Sequence, residues 1–341
     1  MMKKEIDMVP RTMRAVRQME AGGKLVIETV PVPQPGPGEV LIRMAASPIN
    51  PSDLASLKGG YLSHHHPFTP GLEGSGTVVS AGKGLLPRLR IGKRVACSPN
   101  PEEDGTWAEY MKTSVLKTVP LPSSVSMEQG SMMLVNPMTA MAFMQMAKGG
   151  KHKAMVNNAA ASALGKMLIR LAILQDIPLI NIVRKASQVE ALKAMGATYV
   201  LNSSDSSFES ELQQLSTRLG ATLFLDAVTG EQTALLLKAA PRGSTIVAYA
   251  RLSGDPIAAD PGELMVENKR ITGFQLGSWL QTKSTPFKLS FINQVKSRLG
   301  NELTSTIHQI SSMEKVEEAI QSYKTHMSDG KIVLNLRSES E

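Results

Sequence analysis

The chain has one cysteine in 341 residues. A single thiol excludes an internal disulfide and any metal cluster built on several cysteines. Cys97, in the apolar run RVACS, is expected to be a small buried hydrophobe. Aromatic residues are also scarce, at 4%, so stacking platforms for bases are few. The net charge of +7 therefore does not by itself point to nucleic acid, and the scattered cations would serve a phosphate-bearing small molecule equally well. No run of about eighteen apolar residues occurs, and the basic N-terminus MMKKEIDMVPRTM contains no apolar signal core. These absences predict a cytoplasmic protein with neither a membrane nor a nucleic acid as partner.

Glycine is missing where it would be most diagnostic. The stretch 156–185, VNNAAASALGKMLIRLAILQDIPLINIVRK, reads as strand, small-residue turn, apolar helix and second strand. That layout suits a dinucleotide-binding βαβ unit, whose turn brings backbone close to a pyrophosphate at the helix N-terminus. The three positions of a G-x-G-x-x-G fingerprint fall on Ala160, Ser162 and Gly165, and only the last is glycine. Nineteen residues after Gly165, where a carboxylate would accept a bond from a ribose 2′-hydroxyl, the chain has Arg184 and Lys185. A guanidinium there pairs with a 2′-phosphate, so these cations favour NADPH, two solvated cations after a strand being the plain alternative.

Length and composition fit two domains with ordinary cores, 42% of residues being apolar and 20% charged. The middle third alternates strand and helix. After the βαβ unit come a helix over 187–196, with a capping box of Ser187 and Glu190, and strand-like runs at 199–202, 222–228, 244–250 and 271–277. Six strands alternating with helices predict a doubly wound parallel sheet in an α/β fold. The first third, with short β-like runs divided by Pro and Gly, predicts a small antiparallel or barrel-like domain. Beyond 286 come two helical patterns and a closing strand, GKIVLNL.

Several blocks carry a family resemblance in order and spacing: PGPGEVLIRM (35–44), SPINPSDL (47–54), PFTPGLEGSGTVVSAG (67–82), GTWAEY (105–110), VNPMTA (135–140), INIVRK (180–185) and GKIVLNL (330–336). The chain resembles a medium-chain dehydrogenase/reductase of the zinc-free branch, which holds NADPH:quinone oxidoreductases and trans-2-enoyl thioester reductases. The resemblance implies a GroES-like β-barrel catalytic domain at 1–135, completed by 283–341. A Rossmann domain for NADPH would occupy 136–282, with the cofactor in the cleft between the two. It also implies no metal, because Leu72 replaces a ligand in the triplet Gly71, Leu72, Glu73 and Cys97 is solitary. The run His64, His65, His66 is then a polar active-site lip.

The resemblance further implies individual roles. Tyr61 follows INPSD as a proton-donating tyrosine does in the enoyl reductases, a phenol packed at the domain cleft being the plain alternative. Asn50 and Thr139 would line the nicotinamide, while Ala160, Ser162 and Ala163 would present backbone N–H groups to the pyrophosphate. Tyr249, Phe274 and Leu276 would touch ribose and nicotinamide, or be ordinary core, and Lys331 would reach the cofactor phosphates. The expected activity is hydride transfer to a quinone or an α,β-unsaturated carbonyl. An enoyl thioester is the alternative acceptor, and a crystallin-like or RNA-binding protein without turnover is the alternative class. The family habit of pairing Rossmann edge strands makes 271–277 the candidate seam of a homodimer.

Overall fold

The computed structural model describes residues 9–59 and 65–337. Tyr61 and His64 lie outside the described residues. The chain forms two compact units, Met1–Val135 with Thr304–Glu341, and Asn136–Leu303.

In the first unit, β1 (Thr12–Gln18) and β2 (Leu25–Pro31) pair antiparallel. There follow β3 (Glu39–Pro48), β4 (Gly74–Ala81), β5 (Arg94–Cys97), β6 (Tyr110–Ser114) and β7 (Thr118–Pro120). Short helices α1 (Pro51–Leu57), α2 (Leu85–Arg90) and α3 (Met127–Ser131) stand in the connections. The second unit runs α4 (Asn136–Gly149), β8 (Ala154–Asn157), α5 (Ala163–Leu174), β9 (Leu179–Val183), α6 (Ala186–Ala194) and β10 (Tyr199–Asn202). It continues with α7 (Phe208–Leu219), β11 (Ala221–Asp226), α8 (Glu231–Ala239), β12 (Thr245–Ala248), α9 (Pro261–Met265), β13 (Arg270–Gly273), α10 (Leu276–Gln281) and α11 (Thr285–Arg298). The chain then returns to the first unit with β14 (Ile307–Ser312), α12 (Val316–Thr325) and β15 (Lys331–Asn335).

The first unit's main sheet has the order β14-β15-β3-β4-β5-β7, with β6 also on β3. Strand β3 is central and buried on both faces, which is why it reads as a nearly unbroken apolar run. Its side chains divide with period two. Val40, Ile42 and Met44 enter a cluster with Trp107, Ile332 and Leu334, while Leu41 packs with Met13, Ala15 and Val32 on the other side.

The second unit's six strands are all parallel, in the order β10-β9-β8-β11-β12-β13. Counted from β8 this is 3-2-1-4-5-6, the doubly wound order, and it reverses between β8 and β11. One face of the sheet buries Val156, Ile180, Ile182 and Phe224 against Phe208, Leu212 and Leu236 of α7 and α8. Among the described residues no helix is long and apolar enough to cross a membrane.

Three sequence expectations need correction. Ser187 and Glu190 form no capping box: α6 begins at Ala186, one residue ahead of Ser187, with Lys185 as N-cap and no side-chain cap bond. The run 271–277 is not one strand, because β13 ends at Gly273 and the Gln275 side chain then accepts from the Ser278 N–H to open α10. The second unit extends through Leu303 rather than 282, since α11 packs on α4 and its Phe291 ring lies 5.4 Å from Trp279.

Candidate functional site

In a doubly wound sheet the ligand crevice lies at the carboxyl ends of the strands where their order reverses. Here the carboxyl ends of β8 and β11 are tied by buried hydrogen bonds. Asn158 Nδ2 donates to Asp226 Oδ1 at 2.7 Å, and the Ala227 N–H donates to Asn158 Oδ1 at 2.7 Å. The same Asp226 oxygen accepts from the N–H groups of Val228 and Thr229, and the other accepts from Thr233 Oγ1 at 2.6 Å. Neither Asn158 nor Asp226 was singled out from sequence, although an Asn after one strand and an Asp ending another were visible.

Between β8 and α5 the chain makes a tight turn. Ala159 takes a positive φ of 49°, and the Ala160 N–H donates to Ile182 O at 3.1 Å. Ser162 caps α5, its Oγ accepting the Gly165 N–H at 3.1 Å. A Cβ on Gly165 would stand 2.3 Å from Ala160 O, so this glycine is required by close approach of helix to turn. Ala160 is fully buried, and its N–H and that of Ser162, given to Ile182 O and Ala159 O, are not the open pyrophosphate donors expected from sequence. The N–H groups of Ala163 and Leu164, in the first turn of α5, have no intrahelical acceptor and lie where an anion would bind.

Arg184 and Lys185 follow β9 and are exposed. Ser204 Oγ, in the turn after β10, donates to the Arg184 carbonyl at 3.0 Å, a neighbour that sequence reading missed. Tyr249 and Phe274 stand just past the carboxyl ends of β12 and β13, and both pack on Phe143 of α4, at 5.0 and 4.7 Å between ring centroids. Burial raises the Tyr249 phenol. Leu276 is half-buried at the start of α10, and Thr139 lies on the first turn of α4 with 7% of its surface exposed. At the opposite, amino-terminal end of this sheet, a cavity of about 380 Å³ is lined by His152, Thr245, Trp279 and Lys283. Its two cationic-type side chains are engaged, His152 with Thr222 Oγ1 and Lys283 over the Trp279 ring.

The first unit holds a buried charge cluster. Asn50 Nδ2 donates to Glu73 Oε1 at 3.0 Å, and Asn50 Oδ1 accepts from the Lys331 ammonium. Those partners fix the amide's orientation, since an ammonium needs an acceptor and a carboxylate a donor. Glu73 Oε2 takes the N–H groups of Leu134 and Val135 at 2.8 and 2.9 Å. Asp53 accepts the Asn50 N–H at 2.7 Å and the Leu72 N–H at 3.0 Å. Gly71, at φ 105°, shapes this loop; a Cβ there would fall 2.3 Å from Thr106 Oγ1. Burial pushes Asp53 up to about 7 and raises Glu73, while burial lowers the Lys331 ammonium.

The cluster changes two expectations. Lys331 is 2% exposed and bonded to Asn50 beside the Tyr323 ring, so its ammonium is turned into the core of the first unit and away from any phosphate in solvent. Asn50 is 1% exposed with both ends of its amide engaged, which makes it an organiser of the cluster. Asp53 and Glu73, whose roles here sequence reading missed, complete it. Cys97 is buried as expected, its thiol against Met44 Sδ and Gly74 O, and burial raises it.

A mixed sheet carrying a buried polar cluster, joined in one chain to a doubly wound sheet with a phosphate-type turn at its switch point, defines a nucleotide-dependent dehydrogenase architecture. Residues 36–123 match the alcohol dehydrogenase GroES-like domain, and residues 163–292 match the zinc-binding dehydrogenase domain. A Mesorhizobium loti protein assigned as an NADPH:quinone reductase superposes with a TM-score of 0.89 at 31% identity, over 96% of this chain and 99% of that one. A Bacillus thuringiensis protein assigned likewise gives 0.85 at 25% identity, over 95% and 99%. The mitochondrial enoyl-[acyl-carrier-protein] reductase of Arabidopsis thaliana is 31% identical over 71% of this chain, which spans 65% of that relative's length. The chain belongs to the medium-chain dehydrogenase/reductase family, in its branch of quinone and enoyl reductases.

Proposed function

We propose that the protein is an NADPH-dependent reductase of quinones or α,β-unsaturated carbonyls that works without zinc. The observation that carries this reading is the turn Ala159–Gly165 at the switch point, closed tightly enough to exclude a Cβ at its third glycine position and followed by exposed cations after β9. The first amides of α5 would hold the pyrophosphate and Arg184 with Lys185 the 2′-phosphate. When bound, the cofactor supplies a hydride from its nicotinamide. Thr139, Tyr249, Phe274 and Leu276 are proposed to border the ring and ribose. Tyr61 is proposed to give a proton to the carbon beside the carbonyl once hydride has reached the far end of the double bond.

The donor set supports zinc independence. Leu72 is apolar, the Cys97 thiol is buried, and Glu73 is occupied by Asn50 and two backbone amides. A homodimer through the edge of β13 and a cytoplasmic location belong to the same reading. The exposed, uncharged Thr272 and Gly273 at the carboxyl end of that edge strand support the dimer.

An enoyl thioester is the second acceptor to consider, because the Arabidopsis thaliana relative is named for reducing one. The test is NADPH oxidation against a quinone, a short enone and an enoyl-CoA in parallel, with and without a chelator. Turnover of a quinone or enone untouched by chelation is the expected result. Preference for enoyl-CoA selects the second reading, loss on chelation restores a metal, and no turnover with any acceptor leaves a binding-only protein.

A further inference from the structure

The surface around α2 departs from the usual pattern. Leu85, Leu86 and Leu89 are 74%, 57% and 62% exposed, and the helix is anchored by the buried Pro87. Ile91 is 39% exposed, and Leu116 of the adjoining turn 81%. Thus five of the fifteen large apolar side chains exposed among the described residues gather here. An apolar group of this kind turned to water marks a contact surface. Helix α2 lies against the turn Val115–Lys117, and Gly38 joins them, its N–H bonded to Lys83 O and its carbonyl to the Val115 N–H.

The charge along the segment that carries α2 has one sign. From Gly82 to Pro101 there are five cations, Lys83, Arg88, Arg90, Lys93 and Arg94, and no Asp or Glu. Arg94 is turned to the carbonyls of Ser123 and Val125, but Lys83, Arg88 and Lys93 are exposed. The nearby Glu39 carboxylate is occupied by the Gly36 N–H and Asn100. From Gly82 to Cys97 there is also no Ser, Thr, Asn, Gln or Tyr. A specific protein interface calls for hydrogen-bonding groups at fixed positions. A lipid headgroup region asks only for apolar depth and cations.

We propose that the α2 surface is a peripheral docking site for an anionic lipid bilayer, with Leu85, Leu86, Leu89 and Leu116 entering the interface and Lys83, Arg88 and Lys93 meeting lipid phosphates. Sequence reading expected no membrane partner. That expectation concerned spanning segments, and a short helix lying on the interface is a different association.

The test is co-sedimentation of the full chain with vesicles of phosphatidylcholine alone and of phosphatidylcholine mixed with phosphatidylglycerol, at low and high salt. Binding to the mixed vesicles that weakens with salt is expected, with little binding to the neutral ones. Each cation near an anionic surface is worth about a fivefold change in partitioning, so Arg88→Gln with Lys93→Gln should lower it about thirtyfold. Leu85→Ser with Leu89→Ser should lower it at least about tenfold at unchanged charge. Both variants alter exposed side chains, and native circular dichroism confirms that they fold. Wild-type protein that ignores the mixed vesicles overturns the proposal, whatever protein the face then proves to bind. So do folded variants that bind as wild type does, or variants whose main change is in self-association.

Discussion

At the scale of single residues, charge decides most of what can be tested. Arg184 is exposed where a 2′-phosphate would lie, and a charge-assisted contact contributes on the order of 1.5 to 3 kcal/mol. Arg184→Ala should weaken NADPH binding about tenfold to a hundredfold and leave NADH nearly unchanged. Fluorescence titration with both cofactors checks this, and equal wild-type affinities would remove the assignment. A positioned acid is worth about a hundredfold to ten-thousandfold, so Tyr61→Phe should cut kcat by that range on an enone. A quinone, whose reduced oxygens solvent can protonate, should lose far less; equal losses on both acceptors would refute the proton role.

Asp53 gives a pH signature. Burial holds it near 7 in the folded chain, against an ordinary 3.8. Between those values the folded state keeps a proton that the unfolded chain has released, so stability falls as pH rises from about 4 to about 7 and levels off above. Asp53→Asn should flatten that fall, by on the order of 1 to 3 kcal/mol across the window. Urea midpoints measured from pH 4 to 8 decide it, and parallel profiles would place the titration elsewhere. The cations after β9 were legible because their meaning depends on position along one βαβ unit. The cluster of Asn50, Asp53, Glu73 and Lys331 was not, because Lys331 meets Asn50 across 281 residues and no local period records such a meeting.

Among the elements, what was legible followed from periodicity. All six parallel strands of the second unit were read in order, since strand and helix periods alternate cleanly there, whereas α4, α9 and α10 were not read. The errors fell at ends. Ser187 resembles a cap, but α6 begins one residue earlier from the backbone of Lys185. Likewise the apolar look of 271–277 hid a cap at Gln275. Helices α1 and α2 escaped notice because neither reaches eight residues and α2 turns its leucines outward. The turn before α5 is the element most open to test. Gly165→Ala would place a methyl 2.3 Å from Ala160 O, and strain of this kind costs about 1 to 3 kcal/mol. A drop in melting temperature with loss of NADPH binding is expected; unchanged binding would mean that the turn does not hold the pyrophosphate.

For the whole molecule, one of the two edges of the second unit's sheet is β13, with Thr272 exposed on it. A charge on a pairing edge opposes its use. Thr272→Lys should convert a dimer to a monomer in light scattering while NADPH binding persists, and a variant that stays dimeric would exclude this edge as the seam. The sheet of the first unit bears on how the molecule comes into being. Strand β15 lies directly on β3, Val333 opposite Pro48 and Asn335 opposite Ala46, with the whole second unit between them in sequence. During synthesis, Ala46–Pro48 of the apolar β3 therefore have no native partner on that flank until the second unit and Val333–Asn335 have been made, whereas Glu39–Arg43 pair early with β6. The second unit, contiguous in sequence, can close before then. A nascent chain of this protein thus carries a finished cofactor-type sheet and an unfinished barrel, and the unfinished part is the one that a chaperone would have reason to hold.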